Sequence, residues 1–331
     1  SIGTTAAIVP LSIAAAPFVA RVIESALKEV DPGVVQAAKS MGSTNYQIIS
    51  KMISTEKLKN LKLIVSDLDG TLLNGSNQIG TESQKLIKAL LAKGMRFTFA
   101  TGRLHSAVEE HANLLGLKTP LITLDGSMIK TLNNDIIFDS YISQKYVTKA
   151  IKLADFNLVN IALCHADAIY YTEHSPLVPR VIDKFGANYV EVDSLDEYLK
   201  ETLEIVFASD YKDSIKFIEK KMTFPFAFGL NTSFYKSQRR GDSYFFEVRK
   251  HGCNKGTALA RLIKYLKFKI ENVAVMGDWH NDESMFETNA VKVAVDNAIY
   301  PIKLKADFVT KNDNENDGVA EFLELVLKAK E

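Results

Sequence analysis

With only two cysteines in 331 residues, Cys164 and Cys253, the chain has little material for a disulfide framework or a structural zinc site. The two lie far apart, without Cys-x-x-Cys spacing, so a reducing, cytoplasmic setting fits best. Net charge is as scarce, because 40 Lys and Arg balance 40 Asp and Glu. Lacking a global basic field, the composition excludes nucleic acid as the expected partner. The start of the chain has no basic stretch and does not read as a signal peptide. No internal repeat or low-complexity tract stands out.

What is present is an ordinary globular balance, 47% apolar and 24% charged, with length for two or three domains. The first 20 residues carry no charge until Arg21 and just reach the length of a membrane span. Pro10 and Pro17 would break a soluble helix, though membrane helices tolerate them better. Residues 22–52 read as two short amphipathic helices around the Asp31-Pro32-Gly33 turn, and 54–60 as a polar linker.

From residue 61 strands and helices alternate. "LKLIVSD" is a continuous apolar run, as expected of a strand buried on both faces of a parallel sheet. Thr81 and Gln84 form a capping-box pattern opening a helix that Gly94 closes. "RFTFATGR", the helix "HSAVEEHANLLG" and "PLITLDGS" continue a β-α-β-α-β order, and a hairpin turning at Asn133-Asn134 follows. Residues 143–245 are more mixed. Helices are expected around "KYVTKAIKLADF" and "YKDSIKFIEKKM", and strands at "AIYYT", "LEIVFAS", "FAFGLN" and "SYFFEV". The βα alternation then resumes with "NKGTALARLIKYLKF" and "NVAVMGD". The expected fold is thus α/β, a three-layer parallel-sheet core at 59–142 and 246–331 with an inserted α+β domain at 143–245, behind an N-terminal segment and linker at 1–58.

Ligands of open α/β sheets bind beyond the carboxyl ends of strands. Four polar clusters fall there: Asp67-Leu68-Asp69-Gly70-Thr71, Thr101-Gly102-Arg103, Lys255, and Gly277-Asp278 through Asn281-Asp282. Two aspartates one residue apart repel each other unless a cation lies between them. Mg²⁺ takes hard oxygens, and Asp67, the Asp69 carbonyl and Asp278 suit it. Phosphoryl transfer needs positioning and charge neutralisation above all. An aspartate such as Asp67 can attack phosphorus, while Asp69 protonates the leaving oxygen and later activates water. Lys255 and the Thr101 hydroxyl would hold phosphoryl oxygens.

"DLDGT", "ATGR", "NKGTAL" and "GDWHND", in this order, resemble the four motifs of the haloacid dehalogenase-like superfamily. The long insert resembles the type IIB cap of its Cof-type phosphatases. That resemblance covers residues 61–331. It implies a Mg²⁺-dependent phosphatase of small phosphorylated metabolites, sugar phosphates or phosphorylated cofactors, working through an aspartyl-phosphate. It makes Asp67 the nucleophile, Asp69 the acid/base, and Thr101 and Lys255 phosphate binders. Leu68, Gly102 and Asn281 join the phosphate contacts, Asp67, Asp69 and Asp278 the metal set, and Asp282, Gly70 and Thr71 a supporting role. "LDGS" matches the family's Asn-Gly-Ala stretch except for Asp125, so no polar role is carried over to that position. A phosphomutase of the same superfamily is the nearest alternative.

Residues 1–52 resemble a fragment of a methionine-type ABC transporter permease, with Gln36-Ala37-Ala38 and Gly42 in place of its coupling loop. A fragment cannot form a transport pathway, so it is read as a fused remnant. It leaves open membrane association through residues 1–20, contact with an ABC ATPase, and a transporter-coupled module as the second alternative.

Bland readings apply elsewhere. Asp313, Glu315, Asp317, Gly318 and Glu324 come near EF-hand spacing but read as a loop capping the last helix. Trp279, His280, Cys164-His165, His174, Arg239-Arg240, Lys303 and Lys305 read as ordinary loop or fold residues.

Overall fold

The computed structural model describes residues 56–181, 186–236 and 243–331. The expectations for residues 1–52 and for Arg239-Arg240 lie outside them. The chain divides into two compact units, Ser1–Asn60 with Ala329–Glu331, and Leu61–Lys328. Of the first, the described residues hold a helical turn at 56–59. Among the described residues no helix is long and apolar enough to cross a membrane.

The second unit starts with β1 (Leu63–Ser66), α1 (Thr81–Ala92), β2 (Arg96–Phe99), α2 (Glu109–Leu115) and β3 (Leu121–Thr123). A hairpin of β4 (Met128–Lys130) and β5 (Ile136–Asp139) leads to α3 (Gln144–Asn157), β6 (Asn160–Cys164), β7 (Ile169–Tyr171) and α4 (Val178–Val181). Next come β8 (Tyr189–Glu191), β9 (Glu204–Ser209), α5 (Lys212–Met222), β10 (Leu230–Lys236) and β11 (Tyr244–Lys250). The chain ends through α6 (Lys255–Leu266), β12 (Val273–Gly277), α7 (Glu283–Phe286), β13 (Val291–Ala294), α8 (Tyr300–Lys305), β14 (Phe308–Val309) and α9 (Gly318–Ala329).

A five-stranded parallel sheet runs β14-β13-β12-β1-β2. β1 and β12 are buried at every position, which explains why Leu-Ile-Val-Ser and Val-Ala-Val-Met-Gly are free of charge on both faces. The chain steps one way from β1 to β2 through α1, and the other way from β12 to β13 through α7. Right-handed crossovers in opposite directions put the connecting helices on opposite faces, giving three layers. The order reverses between β1 and β12, and a crevice opens beyond their carboxyl ends.

The inserted segment forms a second sheet, β10-β11-β9-β6-β7-β8. Side chains alternate across it, so Phe246 and Val248 face one side and Phe245, Glu247 and Arg249 the other. On the first side α3 and α5 bury Val147, Ala150, Ile215 and Ile218 against Phe207 and Phe246. On the other, Val206 and Phe245 pack with Leu104, Leu124 and Met128.

Four local expectations change. The Thr81–Gln84 capping box does not form: α1 has Gly80 as its N-cap and no side-chain cap of its own. The Glu82 and Ser83 N–H groups instead donate to Asp317 Oδ2 at 3.1 and 3.0 Å. The acidic loop at 313–318 thus serves the first helix, with Glu315 Oε1 accepting from the Gly75 N–H. β3 joins β2 through one bridge, Ala100 to Ile122, and otherwise pairs with β4. The strand expected at "FAFGLN" begins four residues later at Leu230, because Thr223–Gly229 turns around Pro225. β6 and β8 escaped the sequence reading.

Candidate active site

Asp67 leaves β1 with its N–H donating to the Met276 carbonyl of β12 at 2.9 Å, so the crevice pins it between the two central strands. It is 4% exposed. Its Oδ1 accepts from Lys255 Nζ at 2.5 Å. Lys255 opens α6 and is wholly buried. Its second partner is Asp282 Oδ1 at 2.6 Å. Asp282 Oδ2 accepts from the N–H groups of Asp278 and Trp279 at 2.9 and 3.1 Å, so that carboxylate is fully engaged as a brace.

Asp278 stands beside it, Oδ1 accepting from the Thr71 hydroxyl at 2.7 Å. Gly70 makes this approach feasible. Its φ is +81°, and a Cβ there would lie 2.5 Å from Asp278 Oδ2. Leu68 is buried, its carbonyl accepting from the Thr71, Leu72 and Leu73 N–H groups, which winds the "DLDGT" stretch into a tight loop. Asp69 points outward, 44% exposed at its side chain. Thr101 is buried and its Oγ1 accepts the Arg103 N–H at 3.1 Å, which leaves its own hydroxyl proton to give. The four sequence clusters therefore meet in one crevice.

Three features escaped the sequence reading. Arg103 grips Asp69 with a fork, Nε to Oδ2 at 2.8 Å and Nη2 to Oδ1 at 2.5 Å. Asn254 caps α6 by accepting the Thr257 N–H at 2.8 Å, while Thr257 Oγ1 receives the Asn254 N–H. The Asn254/Thr257 spacing could have signalled the cap. Asp125, to which no role was carried over, makes polar contacts: Oδ1 accepts from Asn281 Nδ2 at 3.0 Å and Oδ2 lies 3.2 Å from Arg249 Nη2. Trp279 and His280 stay at the surface as expected, His280 paired with Glu283.

Crowding shows in the proton affinities. Burial pushes the Asp67 carboxyl well above the carboxylate range; Lys255 opposes this, while Asp282, Asp278 and Asp69 add to it. Burial likewise pushes Asp278 up to about 7 against the Thr71 hydrogen bond. For Lys255 burial works downward, yet Asp282 and Asp67 hold the ammonium above its usual value. Asp67, Asp278 and Asp282 each offer an oxygen within 4.8 Å of the others. With Asp282 engaged elsewhere, Asp67 and Asp278 remain as hard, under-compensated donors, which fits a divalent cation.

A doubly wound sheet with such a crevice at its switch point defines a class, the open α/β proteins that bind a ligand beyond the carboxyl ends of their central strands. The chain belongs to the haloacid dehalogenase-like hydrolase family, which matches residues 64–323. It is 28% identical to Phosphatase YwpJ of Bacillus subtilis, covering 81% of this chain and 100% of that one. It is also 28% identical to the 5-amino-6-(5-phospho-D-ribitylamino)uracil phosphatase YcsE of Bacillus subtilis, covering 78% and 93%. A crystal structure of a haloacid dehalogenase-like hydrolase from Bacteroides thetaiotaomicron shares the fold, with TM-score 0.71, 24% identity, and 80% and 98% covered. A separate likeness, 55% over 80 residues, is to the probable D-methionine transport permease MetI of Vibrio cholerae, of which the chain spans about a third (36%).

Proposed function

We propose that the protein hydrolyses small phosphate monoesters, sugar phosphates or phosphorylated cofactors, through an aspartyl-phosphate on Asp67. The observation that carries this reading is the buried Asp67 carboxylate between Lys255 and Asp278, with Asp69 held by Arg103 at the mouth of the same crevice. An Asp67 oxygen attacks phosphorus, the ester P–O bond breaks, and Asp69 gives its proton to the departing alkoxide. Water then attacks phosphorus, Asp69 takes its proton, and the Asp67–phosphorus bond breaks to release phosphate. Lys255, the Thr101 hydroxyl, Asn281 and the Leu68 and Gly102 backbone hold phosphoryl oxygens in place.

Mg²⁺ suits the Asp67, Asp278 and Asp69 carbonyl oxygens, and when bound it would neutralise the developing charge. Residues 59–142 and 246–331 act as the catalytic core, and residues 143–245 as the cap that excludes water and selects the leaving group. The two buried thiols accord with a cytoplasmic setting.

A phosphate-release screen with Mg²⁺ tests this, over sugar phosphates, phosphorylated cofactors and the ribitylaminouracil phosphate named for YcsE. Release that a chelator abolishes is expected from at least one ester. Silence across the whole panel would sink the reading.

A further inference from the structure

Arg249 is the last inward-facing residue of the inserted sheet before the chain returns to the core at Lys255. Its Nη2 reaches Glu204 Oε1 at 2.5 Å, Glu247 Oε2 at 2.8 Å and Asp125 Oδ2 at 3.2 Å. Glu204 is fully buried and fixes the guanidinium from above. Asp125 belongs to the core. Its N–H donates to the Thr101 carbonyl at 2.9 Å, and its other oxygen holds the Asn281 amide. The carboxylate lies flat against Gly102, where a Cβ would sit 3.4 Å from both its oxygens. Lys255 feels its field.

One carboxylate thus ties the Thr101-Gly102 loop, the Asn281 loop and the inserted sheet together. It also places a negative charge beside the residues proposed to hold a phosphate dianion, where like charges weaken binding. An asparagine would hold Asn281 without that charge. The cation facing that charge is Arg249, which Asp125 shares with Glu204 and Glu247.

We propose that Arg249 and Asp125 form a positioning pair that sets the charge of the phosphate pocket and couples it to the inserted sheet. The pocket accepts phosphate fully only while β11 holds Arg249 over Asp125. This rests on the phosphatase reading above, and it makes the inserted unit part of the phosphate site rather than only a filter for the leaving group.

A charge role gives the two halves of the pair opposite signs, whereas a merely structural pair would weaken the site from either side. The test is the dissociation constant of inorganic phosphate with Mg²⁺ present, by calorimetry, alongside KM and kcat for acetyl phosphate. Arg249→Met should weaken phosphate binding and raise KM about tenfold, with kcat changed less than about threefold. Asp125→Asn should tighten phosphate binding two- to threefold, and Asp125→Asn/Arg249→Met should return to within about threefold of the parent. If Arg249→Met does not fold, Arg249→Met/Glu204→Gln removes the stranded buried carboxylate, and Asp125→Asn still decides the sign by itself. Weaker or unchanged phosphate binding in Asp125→Asn overturns the proposal, as does a double variant no better than Arg249→Met. Failure of the parent to cleave any ester would fell the phosphatase reading instead, because the phosphate-binding comparison is read without turnover.

Discussion

Asp67 combines burial with three neighbouring carboxylates and a single ammonium, and that combination makes it useful. A carboxylate kept from water and aimed into a crevice is a better nucleophile than a solvated one. Asp67→Asn keeps the shape but cannot form the acyl phosphate, and kcat for phosphate release should fall by about 10⁴-fold or more. Asp278 gives a second prediction. Folding raises its value from 3.8 to about 7, so the folded chain keeps a proton that the unfolded chain releases. The stability linked to this group therefore falls as pH climbs from about 4 to about 7, and a bound divalent cation should offset the loss. The rise in Tm on adding Mg²⁺ is expected to be larger at pH 8 than at pH 5; an equal rise at both would contradict the assignment of Asp278 as a ligand. At this scale the sequence was informative where partners share a motif. Asp67, Asp69, Lys255 and Asp278 could be read from local patterns. The Arg249–Asp125 contact could not, because one end lies on a strand of the inserted sheet and the other in the turn between β3 and β4, and neither stands in a recognisable spacing.

Among elements, α6 matters most, since its first residue is Lys255, the lysine proposed to hold phosphate. Its N-cap fixes where that residue points. Asn254→Ala should cost about 1 kcal/mol of stability and also raise KM for the ester, measured by denaturant unfolding and steady-state kinetics. Gly70 is the tightest joint of the β1 loop. Gly70→Ala would combine a left-handed backbone with a methyl inside contact distance of Asp278, so activity should fall much further than Tm does. The elements also show where sequence patterns mislead. Thr81 and Gln84 have the spacing of a capping box, yet the Gln84 N–H donates to the Gly80 carbonyl while Asp317 takes the Glu82 and Ser83 N–H groups from the other end of the chain, and tertiary contact wins. β10 was displaced because "LNTSFYK" is a partly exposed edge strand with weak apolar alternation, while the aromatic "FPFAF" before it looks more strand-like than it is.

For the whole molecule, the inserted sheet meets the core through a small apolar contact. Phe245 and Val206 from the inserted sheet pack with Met128 of β4 and with Leu104 and Leu124 from the core loops that also carry the site. Phe245→Ala should cost about 3–5 kcal/mol, seen as a lower denaturant midpoint. Because the same loops frame the crevice, KM should rise along with it. The insertion as such was legible, since the βα rhythm stops near 143 and resumes near 246. Its six-strand order was not, because short strands such as Tyr189–Glu191 carry too few residues to show a period.

The central parallel pair has a consequence for synthesis. β1 at residue 63 waits for β12 at residue 273, so during translation one side of a mostly apolar strand stays unzipped while the whole inserted sheet emerges. A nascent chain halted before Val273 holds an open, sticky rim that no later residue has yet covered. Ribosome-arrested chains ending near 265 should therefore recruit chaperones, and those ending past 310 should let go of them.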